Sequence, residues 1–157
     1  MEATEPALVF RAWDALSPGE IHAYYRLRQQ VFVLHQNSVY VDADLYDPVA
    51  FHTWVGQPPV GCARVLPPGS PYSEASIGRI AVAPEARGKG WAHRLTSAAL
   101  EEVLRRFGPV PVRILAQAYL RDFYAQYGFE VEGPFVWEDG ILHREMLRPA
   151  SRFHAEQ

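Results

Sequence analysis

The segment from residue 76 to residue 92 constrains the fold most, because its pattern changes from a buried strand to a helix within a few residues. An apolar run ends at Pro84, which has no N–H to give to a strand ladder. The sequence Arg87-Gly88-Lys89-Gly90 follows, and a helical pattern begins at Trp91. Unpaired N–H groups at a helix N-terminus favour an anion. The segment therefore predicts a cradle for a phosphate or pyrophosphate; the alternative is an ordinary turn with solvated charges.

The glycine spacing differs from that of the common nucleotide-binding loops. No Gly-x-x-x-x-Gly-Lys-Ser/Thr motif is present, and Gly88-x-Gly90 lacks the third glycine of the dinucleotide fingerprint. A nucleotide phosphate binder would also need a metal-ligating Ser or Thr and an Asp near the loop, and the sequence puts neither there. We therefore expect no metal in the site.

The whole chain reads as one domain at residues 1–150, followed by a frayed tail at 151–157. A formal net charge of −3 argues against a nucleic-acid partner, because nonspecific nucleic-acid binders carry a basic surplus. The lone Cys62 is expected to be a buried thiol in a reducing compartment. The first six residues do not resemble a signal peptide, and no apolar run reaches the length of a membrane span. These features predict a cytoplasmic protein with no membrane partner.

Hydrophobic periodicity predicts a mixed α+β order of strand, helix, two or three antiparallel strands, helix, strand, helix and two strands. The first strand is expected at 8–13, and a helix begins after Ser17, which is followed by Pro and by Glu at the third position. The strand at 77–82 and the strand at 112–117 are joined by a crossover helix, so we expect them to run parallel and to flank one ligand.

Residues 35–52 form a long acidic segment without regular periodicity. Long loops of this kind are often functional. Its carboxylates could attract a cationic amine; the alternative is that the segment is a solvated excursion of the surface.

Two short motifs resemble the GNAT (GCN5-related N-acetyltransferase) superfamily. Arg-x-x-Gly-x-Ala at 87–92 resembles its acyl-CoA pyrophosphate loop, and Phe-Tyr-x-x-x-Gly-Phe at 123–129 resembles an element near the end of many of its domains. Further segments are similar to the small ElaA-like branch: Leu27-Arg28-x-x-Val31-Phe32-Val33, Gln36, Asp42-x-Asp44, Ala116-Gln117-Ala118 and Glu138-Asp139-Gly140-Ile141-x-His143.

The resemblance implies a twisted, mostly antiparallel sheet of six to seven strands, with one parallel pair splayed at the cofactor site and helices on both faces. It also implies acetyl-CoA as the co-substrate and a primary amine as the acceptor. The residues that would then bind CoA are Ile80, Ala81, Val82, Arg87, Gly88, Lys89, Gly90, Trp91, Ala92, Gln117 and Phe123.

The same resemblance implies that Tyr124 donates a proton to the departing thiolate; otherwise it is a packed aromatic. Many relatives carry a carboxylate on the strand before the glycine loop, and this chain has none there. His143, Glu138 and His35 are the candidate bases, and a water chain is the alternative. We assign His35, Asp42 and Asp44 to acceptor binding.

The sequence thus predicts an acetyl-CoA-dependent N-acetyltransferase that acts by direct attack in a ternary complex. The alternative is a non-catalytic module that binds acyl-CoA as a sensor. The expected partner is a small-molecule or peptide amine, cationic if the acidic segment guides it, and a homodimer is left open.

Overall fold

A computed structural model describes residues 7–155 of the chain and contains seven strands and four α-helices in that range. The expectations for residues 1–6 and for the end of the tail at 156–157 lie outside the described residues. The strands are β1 (Arg11–Ala12), β2 (Phe51–Val55), β3 (Gly61–Leu66), β4 (Ser76–Val82), β5 (Val112–Gln117), β6 (Glu130–Glu138) and β7 (Ile141–Arg148). The helices are α1 (Pro18–Arg28), α2 (Trp91–Phe107), α3 (Arg121–Ala125) and α4 (Ser151–Ala155).

The strands form two antiparallel sheets that meet at one point. The first sheet has the order β1-β2-β3-β4, and the second has the order β5-β7-β6. The Ala75 carbonyl accepts a hydrogen bond of 2.9 Å from the Arg113 N–H, next to a single parallel bridge between Ala75 and Val112. Beyond this junction β4 and β5 are no longer paired, so they diverge as the two arms of a cleft. The expected fold class, with its splayed parallel pair, is confirmed.

Helices cover both faces of the first sheet. On one face, Ala63 and Val65 of β3 pack against α2 residues such as Leu95. On the other, Cys62 packs with Tyr24 and neighbouring apolar residues of the α1 region. Because successive side chains of a strand point to opposite faces, the alternation along β3 fixes which helix covers which side. Among residues 7–155, none of the helices has the length and apolar character required to span a bilayer.

The start of α1 follows the sequence prediction. The Ser17 Oγ accepts a hydrogen bond from the Glu20 N–H at 3.1 Å, and the Glu20 side chain accepts one from the Ser17 N–H at 2.9 Å. This capping box satisfies two of the N–H groups that a helix start leaves unpaired. After α1 the chain continues as a π-helical turn at Gln29–His35, a geometry that is often found at functional sites.

Two predicted segments differ from the structure. The first strand shortens from 8–13 to Arg11–Ala12, because the chain enters a 3₁₀ turn at Trp13 before α1 begins. The segment after Pro149 is not frayed as far as it is described, because α4 forms there. Phe153 of α4 is buried in the core, and the Arg148 guanidinium lies 4.3 Å from its ring centroid. Burial of this aromatic ring explains why the tail folds back.

Candidate active site

The cleft between β4 and β5 opens into one continuous cavity of about 1030 Å³. One end is lined by the glycine loop before α2, and the middle by the facing arms of β4 and β5. The other end lies between the segment at 36–46 and the turn that joins β6 to β7. The cavity therefore connects the predicted anion cradle with the acidic segment that was expected to bind the acceptor.

The glycine loop leaves the N-terminus of α2 open. Gly90 is the N-cap of α2 with φ +80°, and no side chain caps the helix. Gly88 also has a positive φ, +79°, and a Cβ added at either glycine would meet no atom within 4 Å. The first N–H groups of α2 have no side-chain cap, and the positive end of the helix dipole lies at the same place. The loop fits a pyrophosphate through its backbone.

Strand β4 contains a bulge at Arg79, midway along the cleft. The pairing register with β3 shifts between Cys62 and Arg64, and Arg79 has φ +48°. A bulge leaves an extra residue outside the ladder and re-aims the backbone. Since β4 has also left β5, its edge at Ile80–Val82 carries N–H and C=O groups that another extended chain can pair with.

Tyr124 of α3 lines the cavity between the two arms. Its ring packs edge-on against Phe123 and Phe129, with centroid distances of 5.2 and 5.7 Å. Burial, with a smaller effect of Tyr119, raises the pKa of Tyr124 to about 12. The hydroxyl therefore stays protonated at neutral pH and can act as a donor.

His143 of β7 stands opposite Gln117 of β5 in the ladder, at the open end of the cleft. The Ile141 carbonyl lies 2.8 Å from His143 Nδ1. A carbonyl oxygen only accepts, so Nδ1 carries a hydrogen, and the neutral form of the imidazole then has its lone pair on Nε2. The Gln117 amide donates to the Gln36 Oε1 at 3.0 Å, which holds it beside His143. This tautomer makes the His143 Nε2 a base without further rearrangement.

Six charged side chains form a closed ring beneath the acceptor end of the cavity. Arginine and aspartate alternate around it, and neighbouring charges are 2.7 to 3.2 Å apart. In order, the members are Arg28, Asp42, Arg79, Asp44, Arg64 and Asp47. We call this set the Arg–Asp ring. With three charges of each sign, it is neutral as a whole.

Asp47 is the most completely buried carboxylate of the Arg–Asp ring. It is fully buried and accepts hydrogen bonds from Arg28, Arg64 and the Tyr25 hydroxyl. Burial alone would raise its pKa, but the hydrogen bonds and charge of Arg28, with a smaller contribution from Arg64, lower the pKa of Asp47 to about 2. Asp47 thus stays ionised throughout the neutral range.

A model of the acetyltransferase (GNAT) domain family matches residues 47–148. The chain belongs to the GNAT acetyltransferase family. It is 34% identical over 137 residues to protein ElaA of Escherichia coli, a match that covers 85% of this chain and 90% of that protein. It is 39% identical over 148 residues to a UPF0039 protein of Mycobacterium tuberculosis, with 90% of this chain and 92% of that protein covered.

Solved structures of the same kind superpose closely. An acyl-CoA N-acyltransferase from Pseudomonas aeruginosa has a TM-score of 0.84 at 32% identity, covering 90% of this chain and 97% of that one. The crystal structure of E. coli ElaA has a TM-score of 0.81 at 32% identity, with the same coverage. The resemblance to the ElaA-like branch is confirmed, and membership of the GNAT family supports a general N-acyltransferase activity that uses an acyl-CoA.

Most of the residues predicted for the site line this one GNAT cavity. They are Asp44, Ile80, Ala81, Val82, Arg87, Gly88, Gly90, Trp91, Ala92, Gln117, Phe123, Tyr124, Glu138 and His143. Arg87 also donates from Nε to the Val82 carbonyl at 3.2 Å, which fixes the loop against the end of β4.

Three predicted residues, Lys89, His35 and Asp42, do not line the cavity. Lys89 is exposed and does not line the cavity. His35 ends the π-helical turn with an exposed side chain, also outside the cavity, so it is poorly placed as a base. Asp42 is only 4% exposed and pairs with Arg28 and Arg79, so its charge is not available to a cationic acceptor.

Sequence reasoning missed the arginines that face the acceptor end, Arg64 and Arg79. A signal was present, because Arg64 stands inside an apolar run that forms the fully buried strand β3. A buried arginine needs anionic partners, and the acidic segment supplies them. Within residues 7–155, no three His, Cys, Asp or Glu side chains are grouped as a metal site would require.

Proposed function

We propose that this GNAT protein transfers an acetyl group from acetyl-CoA to a primary amine by direct attack in a ternary complex. One observation carries the proposal: a single cavity runs from the glycine loop, past Tyr124, to His143. Such a cavity can hold a donor and an acceptor at the same time, with an acid and a base between them.

The donor would enter along β4. Its pyrophosphate is expected on the N–H groups that follow Gly88 and Gly90, where an added Cβ would meet only open space. Its extended arm is expected on the free edge at Ile80–Val82, in the way that a peptide adds a strand to a sheet. The bulge at Arg79 would then direct a backbone group of β4 towards the thioester carbonyl, the position where negative charge develops.

The chemistry needs one proton removed from the amine and a hydrogen-bond donor for the departing sulfur. The His143 Nε2 would accept a proton from the attacking amine, since its Nδ1 hydrogen is already held by the Ile141 carbonyl. The new C–N bond forms as the C–S bond breaks, and CoA leaves as a thiolate. The Tyr124 hydroxyl would donate to that sulfur. This assignment also accounts for the absence of a carboxylate on β4, because His143 on β7 would act as the base instead.

A direct test is thiol release from acetyl-CoA with a panel of amines, followed by mass spectrometry of the acceptor. We expect CoA release that depends on the amine and a product heavier by one acetyl group. Calorimetric binding of CoA without turnover on any amine would contradict the proposal and favour a non-catalytic acyl-CoA module.

A further inference from the structure

Arg64 occupies an unusual position at the acceptor end of the cavity. It lies on β3, its side chain is only 5% exposed, and it lines the cavity. Its partner across the ladder is Gly78 of β4, where an added Cβ would meet no atom within 4 Å. The glycine thus leaves open space across the ladder from Arg64, on the same face of the sheet.

Among residues 7–155, the Arg64 guanidinium donates hydrogen bonds from Nη1 only. Its Nη1 donates to Asp44 at 2.7 Å and to Asp47 at 2.9 Å. Its Nε is buried and has no hydrogen-bond partner, and among residues 7–155 its Nη2 also makes no hydrogen bond to the protein. The Nε–Nη2 edge of a guanidinium carries two parallel N–H donors, the geometry that receives a carboxylate in a bidentate pair.

A second polar group that lines this cavity also lacks a partner. The hydroxyl of Ser38 is buried, lines the same cavity and makes no hydrogen bond. Buried donors without partners are costly, and a ligand that satisfies them gains by relieving that cost. Arg64 and Arg79 share this end of the cavity with Asp44, Glu138 and Asp139, so the net charge of the lining does not itself attract an anion. The unpaired donors of Arg64 and Ser38 are what would bind one.

We propose that the acceptor carries a carboxylate in addition to its amine, and that the Nε–Nη2 edge of Arg64 binds this carboxylate with help from the Ser38 hydroxyl. The acceptor is then an amino-acid-like zwitterion whose amine lies near the His143 end of the cavity. This inference rests on the proposed amine acetylation and adds the class of acceptor.

The test compares matched acceptors on the wild-type protein. Each pair consists of an ω-amino acid and the alkylamine that remains when its carboxylate is removed, for example 4-aminobutyrate with propylamine. Spacers of increasing length cover the unknown distance between the two groups. A charge-assisted bidentate pair predicts that kcat/KM is at least about tenfold higher for the amino acid of the best pair.

The variant Arg64→Lys keeps the positive charge but loses the two parallel N–H donors of the Nε–Nη2 edge. We expect the ratio of kcat/KM within the best pair to fall by about tenfold or more. The ratio is the readout because a folding defect lowers both values together. The matched control is Arg113→Lys, which makes the same change in the ion pairs to Glu74 and Glu145, outside the cavity, and should leave the ratio unchanged.

The possible outcomes distinguish the carboxylate site from the proposed amine acetylation on which it rests. If alkylamines are acetylated as well as or better than their amino-acid partners, the carboxylate site is wrong and amine acetylation stands. A preference for amino acids that survives Arg64→Lys would also overturn the assignment to Arg64. If neither amino acids nor alkylamines are acetylated although CoA binds, the proposed amine acetylation is wrong, and the carboxylate site is wrong with it.

Discussion

Replacing Tyr124 by Phe tests, with the smallest possible change, whether the Tyr124 hydroxyl donates to the departing sulfur. The substitution removes one oxygen atom and keeps the ring that packs against Phe123 and Phe129. The stability of the fold should therefore be preserved, so a change in rate reports on the hydroxyl alone. Tyr127→Phe is the matched control, since this hydroxyl lies 2.6 Å from the His93 Nδ1 and does not line the cavity.

The size of the effect follows from the pKa of Tyr124. A thiol has a pKa of about 8.5, and burial raises the pKa of Tyr124 to about 12. Complete proton transfer to the thiolate is then uphill by about 5 kcal/mol, at about 1.36 kcal/mol per pKa unit. The hydroxyl would instead stabilise the sulfur by a hydrogen bond to a charged group, worth about 1.5–3 kcal/mol. We therefore expect kcat to fall by about 10- to 100-fold.

The assay is initial-rate thiol release at saturating acetyl-CoA, measured from pH 7 to pH 10. Because its pKa is raised, Tyr124 stays protonated across this range, so the ratio of wild-type to Tyr124→Phe rates should be constant. A ratio that decreases towards pH 10 would mean that the phenol ionises normally. A variant within about threefold of wild type would show that Tyr124 is only a packed aromatic, since a hydrogen bond to a charged sulfur is worth more.

Three further perturbations address the base, the loop and the carboxylates. His143→Gln should lower the single-turnover rate constant by about 10²- to 10⁴-fold, whereas His22→Gln, at an exposed histidine, should leave it unchanged. Equal rate constants for His143→Gln and the wild type would exclude His143 as the base. Gly90→Asn tolerates the φ of +80° and should lose CoA affinity in calorimetry without a lower melting temperature; retained affinity would contradict the loop assignment. Asp42→Asn should lower the free energy of unfolding, measured in urea, by about 3–5 kcal/mol because it breaks a buried ion pair. Glu138 is exposed, so Glu138→Gln should raise only the KM for the acceptor. If Asp42→Asn instead raised that KM without loss of stability, Asp42 would bind the acceptor.

The glycine loop could be predicted because its requirements are local. A strand that ends at a proline, two glycines and a helix start all lie within about fifteen residues of sequence, and each has a backbone reason. The same holds for the capping box of α1. The crossover between β4 and β5 required only one further rule, that strands joined by a single helix run parallel. Local chemistry and connectivity therefore account for the donor half of the cavity.

The acceptor half could not be predicted in the same way, because it is assembled from distant segments. Arg28, Arg64 and Arg79 come from a helix and two strands, and they meet the aspartates across separations of up to 37 residues. The aspartates at 42 and 44 stand out as a cluster in the sequence, but their spacing does not show that both pair with these arginines or that only Asp44 lines the cavity. Only the presence of arginine in otherwise apolar segments indicated that buried partners were needed.

Arg79 links the two halves of the cavity. Its backbone has the positive φ of the bulge in β4, a conformation that is strained for a residue with a Cβ. Its guanidinium belongs to the Arg–Asp ring and lies 5.9 Å from the ring centroids of both Phe32 and Tyr40. The ion pairs of the ring can therefore hold the strained bulge in place. The ion pairs therefore tie the bulge of β4 to the acidic segment at 42–47, so the two parts of the cavity lining are held as one unit. This explains how a segment with so little regular structure can keep a fixed position beside the cavity proposed as the active site.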